Sequence, residues 1–367
     1  MIVVSYGSDI ARSTYDAVLA SDMASYLKPG VAVAIKPNLV VSGPASLGAT
    51  THPEVVEGII LYLRELGIRD IKIIESSWVG DDTARAFQVC GYEALSRKHG
   101  VALVDLKSDS FTLCRHEGSG IEVQVCDEAL NTGFLINVPV LKAHCQTKFT
   151  CCMKNLKGCI PDSEKRRFHR IGLHKPIAVL SALIPVGYCV VDGICGDLTM
   201  EEGGNPVISN RIIAGRDPML VDSFCAGLIG YRAEEIEHIA YGRAFGLGEY
   251  YTDSTEIKEI NAQRDISLAG KGGKQWKAVR GSGFAAARYS KHIVDDAACS
   301  ACYSALIYAL HRCGGKVSTE AKVHIGQGFR EKSGAGVGVG DCAAGFEKNV
   351  PGCPPKALDI VEALGTG

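Results

Sequence analysis

VAVAIKPNLV, residues 31–40, is followed by HPEVVEGIILYLRELG, residues 52–67, and then by DIKIIESSW, residues 70–78. The first and third stretches are near-continuous apolar runs of strand length. The second repeats its apolar residues at helical spacing, opens at Thr51 or His52 before Pro53 and closes on Gly67. Two strands joined by one helix must run parallel, and strands apolar on both sides need cover on both faces. Working outward, DDTARAFQVCGYEALSRKHG (81–100) predicts the next helix and VALVDL (101–106) the next strand. Further strands are expected at FLINVPVL (134–141), YCVVDGI (188–194) and VISNRIIAG (207–215), and a helix with an Asp cap and an early Pro at DPMLVDSFCAGLIG (217–230). The fold class that follows is α/β: a mostly parallel sheet with helices on both faces and right-handed crossovers, plus a small C-terminal cysteine-rich α/β module.

The polar, glycine-rich stretch from about 261 to 285 marks the boundary. It divides the chain into an α/β domain, 1–265, and a C-terminal module, 286–367. Of the 367 residues, 46% are hydrophobic and 22% charged, an ordinary globular composition. A formal net charge of -2 argues against nucleic acid or an anionic membrane as the main partner. The first residues lack a basic segment followed by an apolar one, and no run of about 18 apolar residues occurs, so a cytoplasmic location is expected. Fifteen cysteines in a reducing compartment are thiols or metal ligands rather than disulfides. Cys90, Cys114, Cys126, Cys189 and Cys225 stand singly among apolar residues and are expected to be buried packing.

Five cysteines fall late in the chain. Cys299 and Cys302 form a C-x-x-C pair, and glycine-rich turns around Cys342 and Cys353 are able to bring two more thiolates to the same centre. Four thiolates suit a 4Fe-4S cluster and also suit zinc, so the ligand set by itself does not choose the metal. Cys313, near a helix end at Gly314-Gly315, fits the set less well and is expected to be structural. The glycines of GAGVGVG do not match a dinucleotide fingerprint, and GKGGK lacks the spacing and hydroxyl of a P-loop.

The other concentration of chemistry is residues 139–174, directly after the strand FLINVPVL, where open α/β sheets place ligands. It carries Lys142, His144, Lys148, Lys154, Lys157, Lys165 and His169, a basic loop that suggests a small anionic ligand. Lys36 and Asn38 after one strand, Ser76 and Ser77 after the next, Asn155 in the basic loop and Asp192 at the end of CVVDGI are candidates for the same ligand. Cys145, Cys151, Cys152 and Cys159 lie inside the segment, as a second metal site, a reactive thiol beside lysines, or packing.

These residues carry resemblances. The series KPNL, THPEVV, LKAH, KNLKG with a later proline and His, VVDGI and DPMLVDSF resembles the domain of unknown function 362 family over roughly residues 30–250. Members of that family often contain iron–sulfur segments, which implies the fold and a cluster without naming a substrate. The late order C-x-x-C, Gly340-Asp341-Cys342 and GCPP is similar to the cluster ligands of nickel–iron hydrogenase small subunits and of the respiratory complex I cluster subunit. That likeness implies a 4Fe-4S cluster on Cys299, Cys302, Cys342 and Cys353. More distantly, His144, Lys154 and His169 stand in the order of cofactor-site residues in the N-terminal region of lactate racemases. The stretch Glu75-Ser76-Ser77-Trp78 departs from that pattern, since those proteins carry a further His there.

The function expected is an oxygen-sensitive iron–sulfur oxidoreductase of an anaerobe, carrying out a low-potential reduction. Lys142, Lys154 and His169 would hold an anionic substrate or cofactor, and His144 would exchange a proton near neutral pH. The alternative is a non-catalytic electron carrier for a redox partner protein, with the basic loop as its docking surface. A third reading is a cluster that only holds the small module together.

Overall fold

The structure, a computed structural model, describes residues 1–262, 289–313 and 322–365. The expected boundary segment falls almost wholly outside the described residues, as do the glycines of GKGGK and Gly314-Gly315. In chain order the strands are β1 (Ile2–Tyr6), β2 (Val33–Lys36), β3 (Ile71–Glu75), β4 (Ala102–Asp105), β5 (Phe111–His116), β6 (Ile121–Cys126), β7 (Phe134–Asn137) and β8 (Lys142–His144). They continue as β9 (Lys148–Thr150), β10 (Val186–Asp197), β11 (Pro206–Gly215), β12 (Ile257–Ile260), β13 (Ile293–Asp295), β14 (Val323–Ile325), β15 (Ser333–Val339) and β16 (Gly345–Val350).

Eight strands form one sheet in the order β12-β1-β11-β10-β7-β2-β3-β4. The run from β10 to β4 is parallel, while β11 lies antiparallel to both β10 and β1. Alternation along each strand fills two cores. Ala34, Ile74, Leu135, Val191 and Ile213 face one, and Ile35, Ile73, Ile136, Val190 and Ile212 face the other. Helices Ile10–Ala20 and Pro53–Glu65 cover the second face, helices His174–Leu183 and Pro218–Leu228 the first. The chain is α/β with helices on both faces.

Two expected elements differ. The helix over 81–100 is two helices, Thr83–Val89 and Tyr92–His99, because Gly91, at φ 83°, turns the chain between them. The strand expected to run to Leu141 stops at Asn137, since Pro139 has no N–H for the ladder; one bridge from Val140 to Asp192 follows. Among the described residues no helix is long and apolar enough to cross a membrane.

Successive strands β2, β3 and β4 move in one direction across the sheet, and β7 then β10 lie on the other side of β2. The gap between the carboxyl ends of β2 and β7 is therefore a topological switch point, the place where such sheets open a crevice. Near it sits a second, four-stranded parallel sheet, β13-β14-β15-β16, with helices Ser300–Arg312 and Ala357–Gly365 around Leu306, Leu310, Ile325, Val339 and Ile360. Side chains tie the two sheets' layers together: Gln146 Nε2 donates to the Ala298 carbonyl at 3.0 Å and Gln327 Nε2 to that of Arg166 at 3.0 Å.

Candidate functional site

The switch point is built on a buried ion pair. Lys36 and Asn137 end β2 and β7 side by side in register, and Glu75 ends β3 next door. Lys36 Nζ lies 2.9 and 3.0 Å from the two Glu75 carboxylate oxygens and donates to the Pro37 carbonyl at 2.9 Å. Both residues are essentially inaccessible, and Glu75 also accepts from the backbone N–H groups of Leu39 and Ser76 at 2.9 and 2.7 Å. Asn155 closes the floor by donating to Asn137 Oδ1 at 2.8 Å. Gly158 has to be a glycine here, because a Cβ would sit 2.1 Å from Glu75 Oε1 and 2.5 Å from Lys36 Nζ.

Above this floor is a cavity of about 130 Å³. It receives Lys36, Asn38, Lys142, His144, Lys154, Asn155, Lys157, Lys165 and His169 together, with Cys299 and Ser300 from the small module closing one side. The basic segment is thus turned inward: Lys142 and His144 are 1% and 2% exposed, which excludes a solvated basic face for them. Hairpin β8–β9 and helix Cys152–Asn155 carry these side chains, and Asp222 accepts from the Cys152 and Met153 N–H groups at 2.6 and 3.0 Å to start that helix.

Charge is unevenly satisfied in the cavity. Lys165 is bonded to Asp162 at 3.0 Å and to the Ser77 carbonyl at 2.7 Å, and Lys142 donates to the carbonyls of Ala49 and Glu201 at 2.5 and 2.8 Å. Among the described residues the Lys154 ammonium has no hydrogen-bond or ion-pair partner. Among the same residues Lys157 meets only the His169 Nε2, at 3.3 Å. Burial, then the Lys154 charge, pushes Lys142 down to about 7; burial pushes Lys154 down to about 8. Burial and the Lys154 charge hold Lys157 well below the ordinary lysine value. Five lysines converge on a site whose only fully paired ones are structural, so the arrangement is suited to an anion.

His144 corrects an expectation. Burial, with the charges of Lys154, Lys157 and Lys142, holds its pKa well below the ordinary histidine value, so the ring is neutral at pH 7 rather than poised for proton exchange. Its Nδ1 accepts from the Gln146 and Thr147 N–H groups at 3.1 and 3.3 Å, which assigns the proton to Nε2, 3.7 Å from Glu201 Oε1. The ring is a fixed hydrogen-bond donor. His169 is also held neutral, by burial and then Lys157 and Lys154.

Cys299, Cys302, Cys342 and Cys353 all line a second, small pocket with Gly326, Gly340 and Gly352. Gln327 Nε2 donates to Cys299 Sγ at 3.6 Å and Arg330 Nε to Cys342 Sγ at 3.4 Å. Burial pushes the Cys299 and Cys302 thiols up, as expected of sulfurs withdrawn from water. Four sulfurs thus line one pocket, and N–H donors point at two of them, Cys299 and Cys342. Cys313 is not in this pocket and ends helix Ser300–Arg312. Cys299 lines both the thiol pocket and the lysine cavity.

Other expected positions fall elsewhere. Asp192 does not line the cavity; its carboxylate accepts from the His52 N–H and meets its Nδ1, both at 2.8 Å, and so fixes the start of helix Pro53–Glu65. Neither Cys145 nor Cys159 is an activated thiol: burial, with Glu201, pushes Cys145 well up, and burial pushes Cys159 up to about 12. Cys151, Cys152 and Asp222 are buried with ligand atoms within 4.8 Å of one another, as are His144, Cys145 and Glu201, so either group is able to hold a metal. Cys189 and Cys225, apparently single in sequence, pack against Cys152 and Cys151. Glu75, Trp78, Thr150, Glu201 and Glu202 were missed from the sequence, yet all line the cavity.

The family described as "Domain of unknown function (DUF362)" matches residues 33–227, over half of the chain, and the chain belongs to it. A thylakoid-associated protein of Synechocystis sp. is 28% identical over 152 residues, 40% of this chain and 44% of that protein. The lactate racemase apoprotein of Thermoanaerobacterium thermosaccharolyticum is similar with a TM-score of 0.44 at 10% identity, over 62% of this chain and 57% of that one. A protein of Thermotoga maritima gives a TM-score of 0.38 at 14% identity, over 66% and 60%. The chain spans less than two thirds of each of these relatives.

Proposed function

We propose that this member of the family is an iron–sulfur redox enzyme: a 4Fe-4S cluster held by Cys299, Cys302, Cys342 and Cys353 exchanges electrons with a small anion in the lysine cavity. The observation that carries the reading is Cys299, which belongs to the wall of both pockets. When bound there, the cluster would supply single electrons at a potential set by its N–H donors and burial. The C-x-x-C, G-x-C and G-C-P-P order of the ligands, similar to hydrogenase small subunits, supports iron over zinc.

The chain's own residues would do the rest. Lys154 and Lys157 bind the anion, and the neutral His144 ring offers Nε2–H to an oxygen that gains charge. Lys154, held at about 8, and Glu202, whose carboxyl burial and then Glu201 push up to about 8, are the groups suited to deliver a proton near neutral pH. The Lys36–Glu75 pair keeps the floor rigid. A protein electron partner would approach on the side where Cys353 is exposed. The docking-surface alternative needs outward lysines, and Lys142 and Lys165 are buried.

The test is stoichiometric reduction followed by challenge. Protein reduced anaerobically should be reoxidised within a mixing experiment by some small organic anion, with loss of that reoxidation in Lys154→Met. Reoxidation at the same rate in Lys154→Met would remove the cavity from the reaction.

A further inference from the structure

Building on the redox reading, we infer that the ligand of the lysine cavity is a small organic carboxylate with a compact apolar body, rather than inorganic phosphate or a nucleotide. Size is the first argument. A volume of about 130 Å³ is close to the room of about 150 Å³ that accepts one benzene ring, so the ligand has on the order of six to nine non-hydrogen atoms. A whole nucleotide is larger than that room.

The lining is mixed. It offers two lysines that have no carboxylate partner among the described residues, Lys154 and Lys157. It also offers donors with nothing to bond: Thr150 Oγ1 and Trp78 Nε1 are buried atoms without a partner, and Thr150 as a whole is 3% exposed. An indole N–H only donates, so its partner must be an acceptor oxygen. Buried polar atoms left unpaired cost free energy, and both residues line the cavity, so a ligand oxygen that reaches either atom would satisfy it. Glu202 Oε1 is a third unpartnered atom on the same wall.

The rest of the lining includes apolar groups: Val40, Val79, Ala301 and the Trp78 ring. Bare phosphate would satisfy the lysines and leave those groups facing a polar ion. A carboxylate with a short hydrocarbon frame and a second oxygen matches all three groups: its charge suits the lysines, its frame the valines, and its second oxygen Thr150 or Trp78.

Calorimetric titration of the anaerobic holoprotein with butyrate, succinate and benzoate, beside inorganic phosphate and ATP, tests this. At least one carboxylate should bind ten times tighter than phosphate or ATP. Thr150→Val and Trp78→Phe should each weaken it about tenfold, and Thr150→Ser, which keeps the hydroxyl, should not. Phosphate or ATP binding as tightly as the best carboxylate, no carboxylate binding, or unchanged affinity in correctly folded Thr150→Val and Trp78→Phe would overturn the inference. A carboxylate that binds but never reoxidises the reduced protein would sink the redox reading and leave this inference standing.

Discussion

Binding of an anion in the lysine cavity should draw protons from solution, by an amount the structure fixes. Lys154 is held at about 8 by burial and has no hydrogen-bond or ion-pair partner among the described residues, so at pH 8 it is about half protonated. An anion against the ammonium moves its pKa back toward the ordinary lysine value of about 10.4, and at pH 8 the side chain gains about half a proton. Glu202, held at about 8, is half ionised at pH 8, and Lys142, held at about 7, is about nine-tenths neutral; the two set the ceiling, so uptake lies between about 0.5 and 1.9 protons per ligand. The share of Lys142 is small because its amine is already committed to the Ala49 and Glu201 carbonyls. The assay is titration calorimetry in HEPES and in Tris, whose ionisation enthalpies differ, so that the heat difference counts protons. At pH 6 both lysines are protonated beforehand and uptake should vanish. Lys154→Arg keeps the charge but cannot titrate, and should lower uptake by about half a proton at pH 8. Tight binding with no proton uptake at pH 8, or uptake unchanged in Lys154→Arg, would refute the reasoning.

Other consequences are equally open to measurement. Lys36→Met strands Glu75 as an unpaired buried carboxylate and should cost about 3–5 kcal/mol in urea unfolding followed by circular dichroism, with part recovered on adding Glu75→Gln. Gly158→Ala puts a Cβ against the same pair and should cost about 1–3 kcal/mol in the same assay while weakening anion binding. Asp192→Ala should lower stability by about 1–3 kcal/mol through the lost His52 contacts and leave anion affinity unchanged, since Asp192 is outside the cavity. Because the folded chain holds Lys142 below its unfolded value, the unfolded chain binds more protons between pH 7 and about 10.4, and this lysine's contribution to stability rises with pH. Lys142→Met should therefore show a shallower rise than wild type between pH 7 and 8.5.

Much of the frame is written in local pattern. Apolar runs of strand length, Pro53 at a helix start and Asp217 before Pro218 located β2, β3, β10 and two helices, because periodicity and caps act over a few residues. The reversal of β11 between β10 and β1 depends on long-range pairing, which no short window of sequence contains. Gly91 was visible, but whether it interrupts a helix is decided by the turn it adopts at φ 83°. In the site, lysines were legible as charge and not as burial: Lys36 and Lys165 look alike in sequence to solvated lysines until partners from other strands reach them. Glu75 had a signal that went unused, since VAVAIK and DIKIIE are expected neighbours that each end in an opposite charge. Thr150, Glu201 and Trp78 had none, for Thr150 reaches the cavity from the short strand β9 and the other two from loops between distant strands.

We propose that Cys299, Cys302, Cys342 and Cys353 hold a redox-active cluster against the anion cavity. The most direct test is iron and acid-labile sulfide analysis with electron paramagnetic resonance of dithionite-reduced protein, purified without oxygen, beside Cys353→Ala. About four irons and four sulfides per chain are expected. A reduced-cluster signal should appear, be lost in the variant and change shape when a carboxylate fills the cavity. Zinc, or no metal at all, in the anaerobic wild-type protein would contradict the proposal.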